Sequence, residues 1–100
     1  MKYYFFKLLP PRSTFMQDMT PAEMQLMQSH STYWKNLGCA AAFGPVAAPG
    51  GGYGVAILEL ADDADPHALV ANDPVVKANA GLKIEIYPMP RAIVRPKPAS

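Results

Sequence analysis

The segment KYYFFKLL at residues 2–9 decides how this chain folds. Its aromatic and aliphatic side chains predict a β-strand, and the two prolines that follow predict where the strand ends. Successive side chains of a strand point to opposite faces. Both faces of this strand are therefore apolar, with Tyr4, Phe6 and Leu8 on one and Tyr3, Phe5 and Leu9 on the other.

A helix signal and two strand signals follow this first strand. Residues 20–23, with the sequence TPAE, combine an N-cap threonine, a proline at the first helical position and a glutamate three residues after the cap. This pattern predicts a helix that runs to Leu37 and ends at Gly38. Residues 39–47 and 53–60 predict a second and a third strand, which are joined by a glycine-rich turn.

The second half of the chain repeats this order. Asp-Pro pairs at 65–66 and 73–74 predict the start of a second helix and of a further short helical stretch, which ends at Gly81. Residues 82–89 predict a fourth strand. The order strand, helix, strand, strand, helix, strand predicts a ferredoxin-like α+β fold, βαββαβ, with a four-stranded antiparallel sheet and its helices on one face.

The apolar composition indicates that the other face of this sheet is covered as well. Of the 100 residues, 50% are hydrophobic and only 17% are charged. We expect one domain over residues 1–90 and a proline-rich tail over residues 91–100. An antiparallel sheet with one solvated face alternates apolar and polar residues, which this one does not. We expect a homodimer through the helix-free sheet face; the alternative is that the tail folds over this face.

Charge and cysteine content exclude several other classes of partner. Nine Lys and Arg residues nearly balance eight Asp and Glu, so neither nucleic acid nor a membrane surface is an expected partner. No stretch is apolar enough for a membrane span, and Lys7 interrupts the apolar N-terminus where a signal peptide would continue. A lone cysteine, Cys39, indicates a reducing compartment. We therefore expect a cytoplasmic protein.

The first predicted helix carries the residue best suited to chemistry. Met27, His30, Trp34 and Leu37 share one stripe at helical spacing, so His30 faces the core. Such a histidine is ordinarily structural, with its ring hydrogen-bonded to a neighbour. The second histidine, in the first turn of an acidic helix, is expected to be exposed and has no assigned role.

Asp73 has two compatible interpretations. A carboxylate before a proline at a helix start ordinarily caps the helix. The same side chain can point at His30, where it would fix the imidazole tautomer and raise the basicity of the ring. One oxygen can cap while the other accepts from a ring nitrogen.

Cofactor and metal motifs are missing from the sequence. Two histidines and one cysteine without metal-ligand spacing argue against a metal site. The GGGYG stretch at 50–54 lacks the Lys-Ser/Thr of a phosphate-binding loop and is interpreted as a hairpin turn. We expect neither a metal nor a cofactor.

An ordered set of short motifs resembles the YciI-like (YCII-related) family over roughly residues 3 to 90. The set comprises Pro11-Arg12, His30, Tyr33-Trp34, Leu37, Gly44-Pro45, Asp73-Pro74 and Ala80-Gly81-Leu82. The resemblance implies a dimeric α+β barrel and an active site that pairs a histidine of the first helix with the aspartate of the Asp-Pro motif. Those positions are His30 and Asp73. The departure is at Val75 and Val76, where the family often has an aromatic residue.

These observations predict a cofactor-free general acid/base enzyme, an isomerase or a lyase, that acts on a small organic or aromatic-derived compound. His30 and Asp73 are the predicted catalytic pair, in a pocket between the first helix and the sheet. Arg12, Trp34 and Tyr4 are the predicted substrate-binding residues. The alternative is a non-catalytic ligand-binding or interaction module, in which the bond between His30 and Asp73 is structural.

Overall fold

A computed structural model of the chain describes residues 1–96. Four strands and four helices occur in this range. In chain order they are β1 (Lys2–Leu9), α1 (Phe15–Asp18), α2 (Pro21–Leu37), β2 (Ala40–Val46), β3 (Tyr53–Leu60), α3 (Pro66–Ala71), α4 (Pro74–Ala78) and β4 (Lys83–Pro88).

The strands form one antiparallel sheet in the order β2-β3-β1-β4. The strand made by residues 2–9 lies in its interior, where Phe6 is paired with Ala56 of β3 on one side and Ile86 of β4 on the other. This architecture is α+β and has the strand order of a ferredoxin-like fold, as the sequence predicts.

Helix α2 begins and ends where the sequence predicts. The Thr20 hydroxyl accepts from the Glu23 amide, and the Glu23 carboxylate accepts from the Thr20 amide, which completes a capping box. At the other end Gly38 takes up φ 70°, a left-handed conformation that favours glycine, and its amide donates to the Trp34 carbonyl.

The helical segments of the second half start as predicted, and only the last of them ends earlier than predicted. Asp65 and Asp73 cap α3 and α4, and each is followed by a proline. The prediction that the last stretch reaches Gly81 is wrong, because Asn79 adopts a left-handed conformation and ends α4 at Ala78. The sequence also gave no signal for α1, whose N-cap residue makes no side-chain capping bond.

The core lies between the sheet and the helices. Phe6, Leu8, Ala56, Leu58 and Leu60 are buried on one face of the sheet, where they join residues of the helical segments. Burying one large apolar side chain contributes roughly 1.5–3 kcal/mol relative to leaving it exposed. The helices therefore cover one face of the sheet. The other buried members of this cluster are Phe15, Trp34 and Val75 of the helices and Leu82, which directly precedes β4.

The other face of the sheet has an apolar centre with charged groups around it. Phe5, Val55 and Ile57 are half-buried there and do not belong to the core. The Tyr3 hydroxyl donates to the Glu59 carboxylate at 2.6 Å, which raises the pKa of Tyr3. The Lys7 ammonium lies 4.7 Å from the centre of the Tyr53 ring. We call this surface, formed by the side chains of these residues, the helix-free face.

A close approach at Gly52 brings the turn between β2 and β3 against α1. A Cβ atom at Gly52 would lie 2.9 Å from the Val46 carbonyl oxygen and 3.0 Å from Cγ of Met16. Only glycine fits this position without a shift of its neighbours.

Arg12 anchors α1 and the start of α2. Its guanidinium donates to both carboxylate oxygens of Glu23, at 2.7 and 2.8 Å, and to the carboxylate and carbonyl oxygens of Asp18. The Arg12 bonds lower the pKa of Glu23 to about 2. They also raise the pKa of Arg12. This clamp orders the segment that connects β1 to α2.

After β4, residues 92–96 form neither helix nor strand. The rest of the predicted proline-rich tail, residues 97–100, lies outside the described residues. Among residues 1–96, no helix combines the length and the apolar character that a membrane span requires.

We predict that the clamp loses its stabilising effect at low pH. Folding lowers the pKa of Glu23, so its contribution is fully present above the ordinary value of 4.5 and disappears as the pH falls through about 2. The variant Glu23→Gln keeps the capping box but loses the charge. Urea unfolding should show it to be less stable than the native chain at pH 7, with the difference shrinking from pH 4.5 towards pH 2. A difference independent of pH would contradict this assignment.

Candidate functional site

The carboxylate of Asp73 is fully buried and accepts three hydrogen bonds. Its Oδ1 atom accepts from the Val75 amide at 2.9 Å, which caps α4. Its Oδ2 atom accepts from Trp34 Nε1 at 2.6 Å and lies 2.7 Å from Nδ1 of His30. The prediction that one oxygen caps while the other meets the His30 ring is confirmed.

His30 and Trp34 reach the same carboxylate because they are four residues apart on α2. Residues with this spacing lie one above the other on a helix face. Both are buried, whereas Leu37, at the end of the predicted stripe, is 40% exposed. Reasoning from the sequence did not predict that Trp34 donates to Asp73. The signal in the sequence was the spacing of His30 and Trp34. Both rings carry N–H groups and lie on the same helix face, so both could reach the carboxylate that was predicted to contact His30.

The hydrogen bonds around Asp73 assign the proton in its contact with His30. The indole and amide groups can only donate, so both carboxylate oxygens act as acceptors. With both oxygens accepting, Nδ1 of His30 donates to Oδ2 of Asp73, and Nε2 carries the lone pair in the neutral form of the ring.

The second nitrogen of His30 is open to a cavity. Within residues 1–96 Nε2 makes no hydrogen bond, and no side-chain nitrogen or oxygen that is fully buried lacks a partner. Nε2 therefore keeps accessible surface, and His30 lines the cavity. The ring is held by Phe6, which stacks on it at a centroid distance of 6.1 Å. Trp34 meets Phe6 edge-on at 5.3 Å.

The cavity lies between α2 and the sheet, where the sequence predicts a pocket. Its volume is about 80 Å³, measured as the space open to the centre of a water-sized molecule. Most of the wall is apolar, with aromatic and sulfur-containing side chains among its residues. These include Phe6, Phe15, Met16, Met27, Trp34 and Phe43.

Of the predicted site residues, the structure brings together His30, Asp73 and Trp34 and leaves two apart. Tyr4 lies on the core face of β1, packed against the hydrophobic core. It is not part of the cavity wall. Four of the five N–H groups of Arg12 are bonded to Asp18 and Glu23, and Arg12 also lies outside the wall. Substrate binding by Tyr4 and Arg12 stays a prediction.

Two further titratable groups lie near the core beside the site. The Tyr33 hydroxyl donates to the Leu69 carbonyl at 2.5 Å and so ties α2 to α3. Burial and the Asp73 charge raise the pKa of Tyr33. Burial also raises the pKa of the Cys39 thiol, which makes it a weaker nucleophile. Within residues 1–96, no three His, Cys, Asp or Glu side chains come together in positions to hold a metal ion.

No protein-family model matches the chain, and no curated protein matches it. The resemblance to the YciI-like family therefore stays a prediction that rests on the motifs quoted above.

We predict that Asp73→Asn destabilises the protein. An asparagine in this position has one acceptor oxygen for the donors of His30, Trp34 and Val75, so at least one buried N–H group loses its partner. The expected loss is about 1–3 kcal/mol in the free energy of unfolding, measured by urea denaturation. Asp63→Asn changes an exposed carboxylate and serves as the control, with an effect within about 0.5 kcal/mol. Equal effects of the two changes would contradict the bonding scheme.

Proposed function

We propose that this protein is a cofactor-free general acid/base enzyme, of the isomerase or lyase type, that acts on a small organic or aromatic-derived compound. One observation carries the proposal. His30 lines an apolar cavity and its Nε2 atom keeps accessible surface, while Nδ1 of the same ring is held by a buried carboxylate. A proton acceptor with a fixed tautomer in a site of low water content is what abstraction of a proton from carbon requires.

In the proposed reaction Nε2 of His30 takes a proton from a carbon atom that an adjacent group has made acidic. The ring becomes an imidazolium, and Asp73 stabilises its charge at 2.7 Å without taking the proton. Return of the proton to a different carbon completes an isomerisation. Departure of a leaving group from the neighbouring carbon completes an elimination. Asp73 is thus a positioning residue, and His30 is the catalytic one.

A second candidate function is a non-catalytic small-ligand-binding or interaction module. The observation that favours it is that Asp73 makes three hydrogen bonds whose donors belong to two different helices. Such bonds are accounted for by stability alone, since burying a carboxylate without hydrogen-bond partners would lower the free energy of unfolding. In this candidate the cavity binds a ligand that His30 does not change.

We also propose that the protein is a homodimer that pairs through the helix-free face. The apolar centre of this face has no cover from the helices. Two of its polar groups already have partners within the face, Glu59 with Tyr3 and Lys7 with Tyr53. Burying such satisfied groups costs less than burying free charges. A dimeric α+β barrel of the YciI-like type in the cytoplasm, as the sequence predicts, fits this proposal.

We predict that His30→Gln abolishes proton transfer but not folding. The glutamine amide can still donate to Asp73 but cannot act as a base near neutral pH. A suitable probe is cyclohex-3-en-1-one, whose isomerisation to the conjugated ketone moves one proton between carbons and is followed by ultraviolet absorbance. The native chain should accelerate the reaction over buffer, and the variant should be slower by about 10²–10⁴-fold.

The stability of His30→Gln and the rate of the native chain together separate the candidate functions. If His30→Gln loses more than about 2 kcal/mol of stability and the native chain shows no acceleration, the bond is structural and the enzyme proposal fails. His67→Gln is the matched control, because His67 is exposed on α3. It should leave both rate and stability unchanged.

We predict that Ile57→Lys separates the two copies. The side chain lies in the apolar centre of the helix-free face, opposite Phe5. An ammonium group there would lose its water on pairing, and the measured mass in light scattering should fall from that of a dimer to that of a monomer. Met24→Lys is the control, because Met24 is an exposed apolar residue on α2. A native chain that is monomeric at micromolar concentration would contradict the proposal.

A further inference from the structure

The wall of the cavity has no charged side chain to complement a charged ligand. Among residues 1–96, none of the wall residues is a lysine, an arginine, an aspartate or a glutamate. The other wall residues that carry a polar side chain are Ser31 and Tyr53, and the Tyr53 side chain lies with Lys7 on the helix-free face. Charge in the site is therefore decided by His30 and by Asp73 behind it.

The pair of His30 and Asp73 does not attract an anion in either protonation state of the ring. With a neutral ring the pair carries the charge of the carboxylate and repels an anion. With a protonated ring the two charges, 2.7 Å apart, cancel at the distance of a bound ligand. A carboxylate or phosphate would have to leave water without gaining an opposite net charge.

The cation that the sequence predicts for substrate binding is Arg12, and it is already engaged. Its guanidinium is held by Glu23 and Asp18 outside the cavity wall. Turning it towards a ligand would break both ion pairs. The cation predicted from the sequence is therefore not offered to the cavity in this structure.

A cation is no better suited. An ammonium group could donate to Nε2 of His30. The Asp73 carboxylate behind the ring, however, is fully buried and already accepts three hydrogen bonds. Within the part of the chain that the structure describes, the wall itself has no carboxylate side chain that could replace the water around an ammonium ion.

We propose that the cavity takes a small uncharged molecule with a flat apolar body, which presents a C–H, O–H or N–H group to Nε2 of His30, and rejects the matching carboxylate. This inference deepens the proposed function, since it names the substrate class of the same cavity. The enzyme proposal allows both organic acids and neutral ring compounds as substrates, and this inference favours the neutral ring compounds.

The test compares benzamide with benzoate, which have the same shape but differ in charge. Binding to the full chain is measured at pH 7 by chemical-shift changes of the His30 ring and of the backbone amides. Benzamide should bind more tightly than benzoate by about tenfold or more. Benzoate binding equally or more tightly would overturn the proposal, as would a preference for benzylamine or binding of none of the three at millimolar concentration.

A matched pair of variants checks that the charge of this cavity sets the preference. Ser31→Lys adds an ammonium at the wall, and it should reverse the preference towards benzoate. Ser29→Lys adds the same charge to an exposed position of α2 outside the wall, and it should leave the preference unchanged. Equal responses of the two variants would overturn the proposal.

These measurements are independent of turnover. If benzamide is preferred but the cyclohexenone probe is not isomerised, the enzyme proposal fails and the binding inference stands. If the probe is isomerised but benzoate is preferred, the reverse holds.

Discussion

The three hydrogen bonds that Asp73 accepts join two segments of the helical layer that are far apart in the sequence. His30 and Trp34 belong to α2, and the carboxylate that they share begins α4 about 40 residues later. A charged group without these donors would be costly in this interior, where Val75 and Leu58 are completely buried. The position of α4 against α2, the orientation of the imidazole and the inner wall of the cavity all depend on this one acceptor.

The sheet supplies the other half of the site. Strand β1 is an interior strand, so Phe6 is supported by neighbours on both sides and presents a rigid ring to His30. The apolar excess of the composition is thus divided between three places: the core, the cavity wall and the centre of the helix-free face. The core needs apolar surface for folding, the cavity wall uses it to exclude water, and for the centre of the helix-free face we propose association.

Much of the fold is predictable because its signals are local. The capping box at Thr20 and Glu23 and the alternation along residues 2–9 depend on neighbours in sequence, and both are found as expected. The contact between His30 and Asp73 was predictable because both residue types have few reasons to be buried. The role of Trp34 and the engagement of Arg12 depend on distances in three dimensions. The short α1 also gave no signal, since no side chain caps it.

The long sequence separation within the site bears on how the protein matures. During synthesis the ring of His30 leaves the ribosome well before Asp73, and strand β4, which closes one side of the sheet, comes later still. A nascent or truncated chain therefore contains the imidazole without its partner. In such a chain nothing fixes the tautomer of the ring, so the reaction that we propose would wait for Asp73. Proteolytic removal of the last strand would leave Asp73 in the chain but would take away one of the two strands that flank β1, which carries the Phe6 ring stacked on His30.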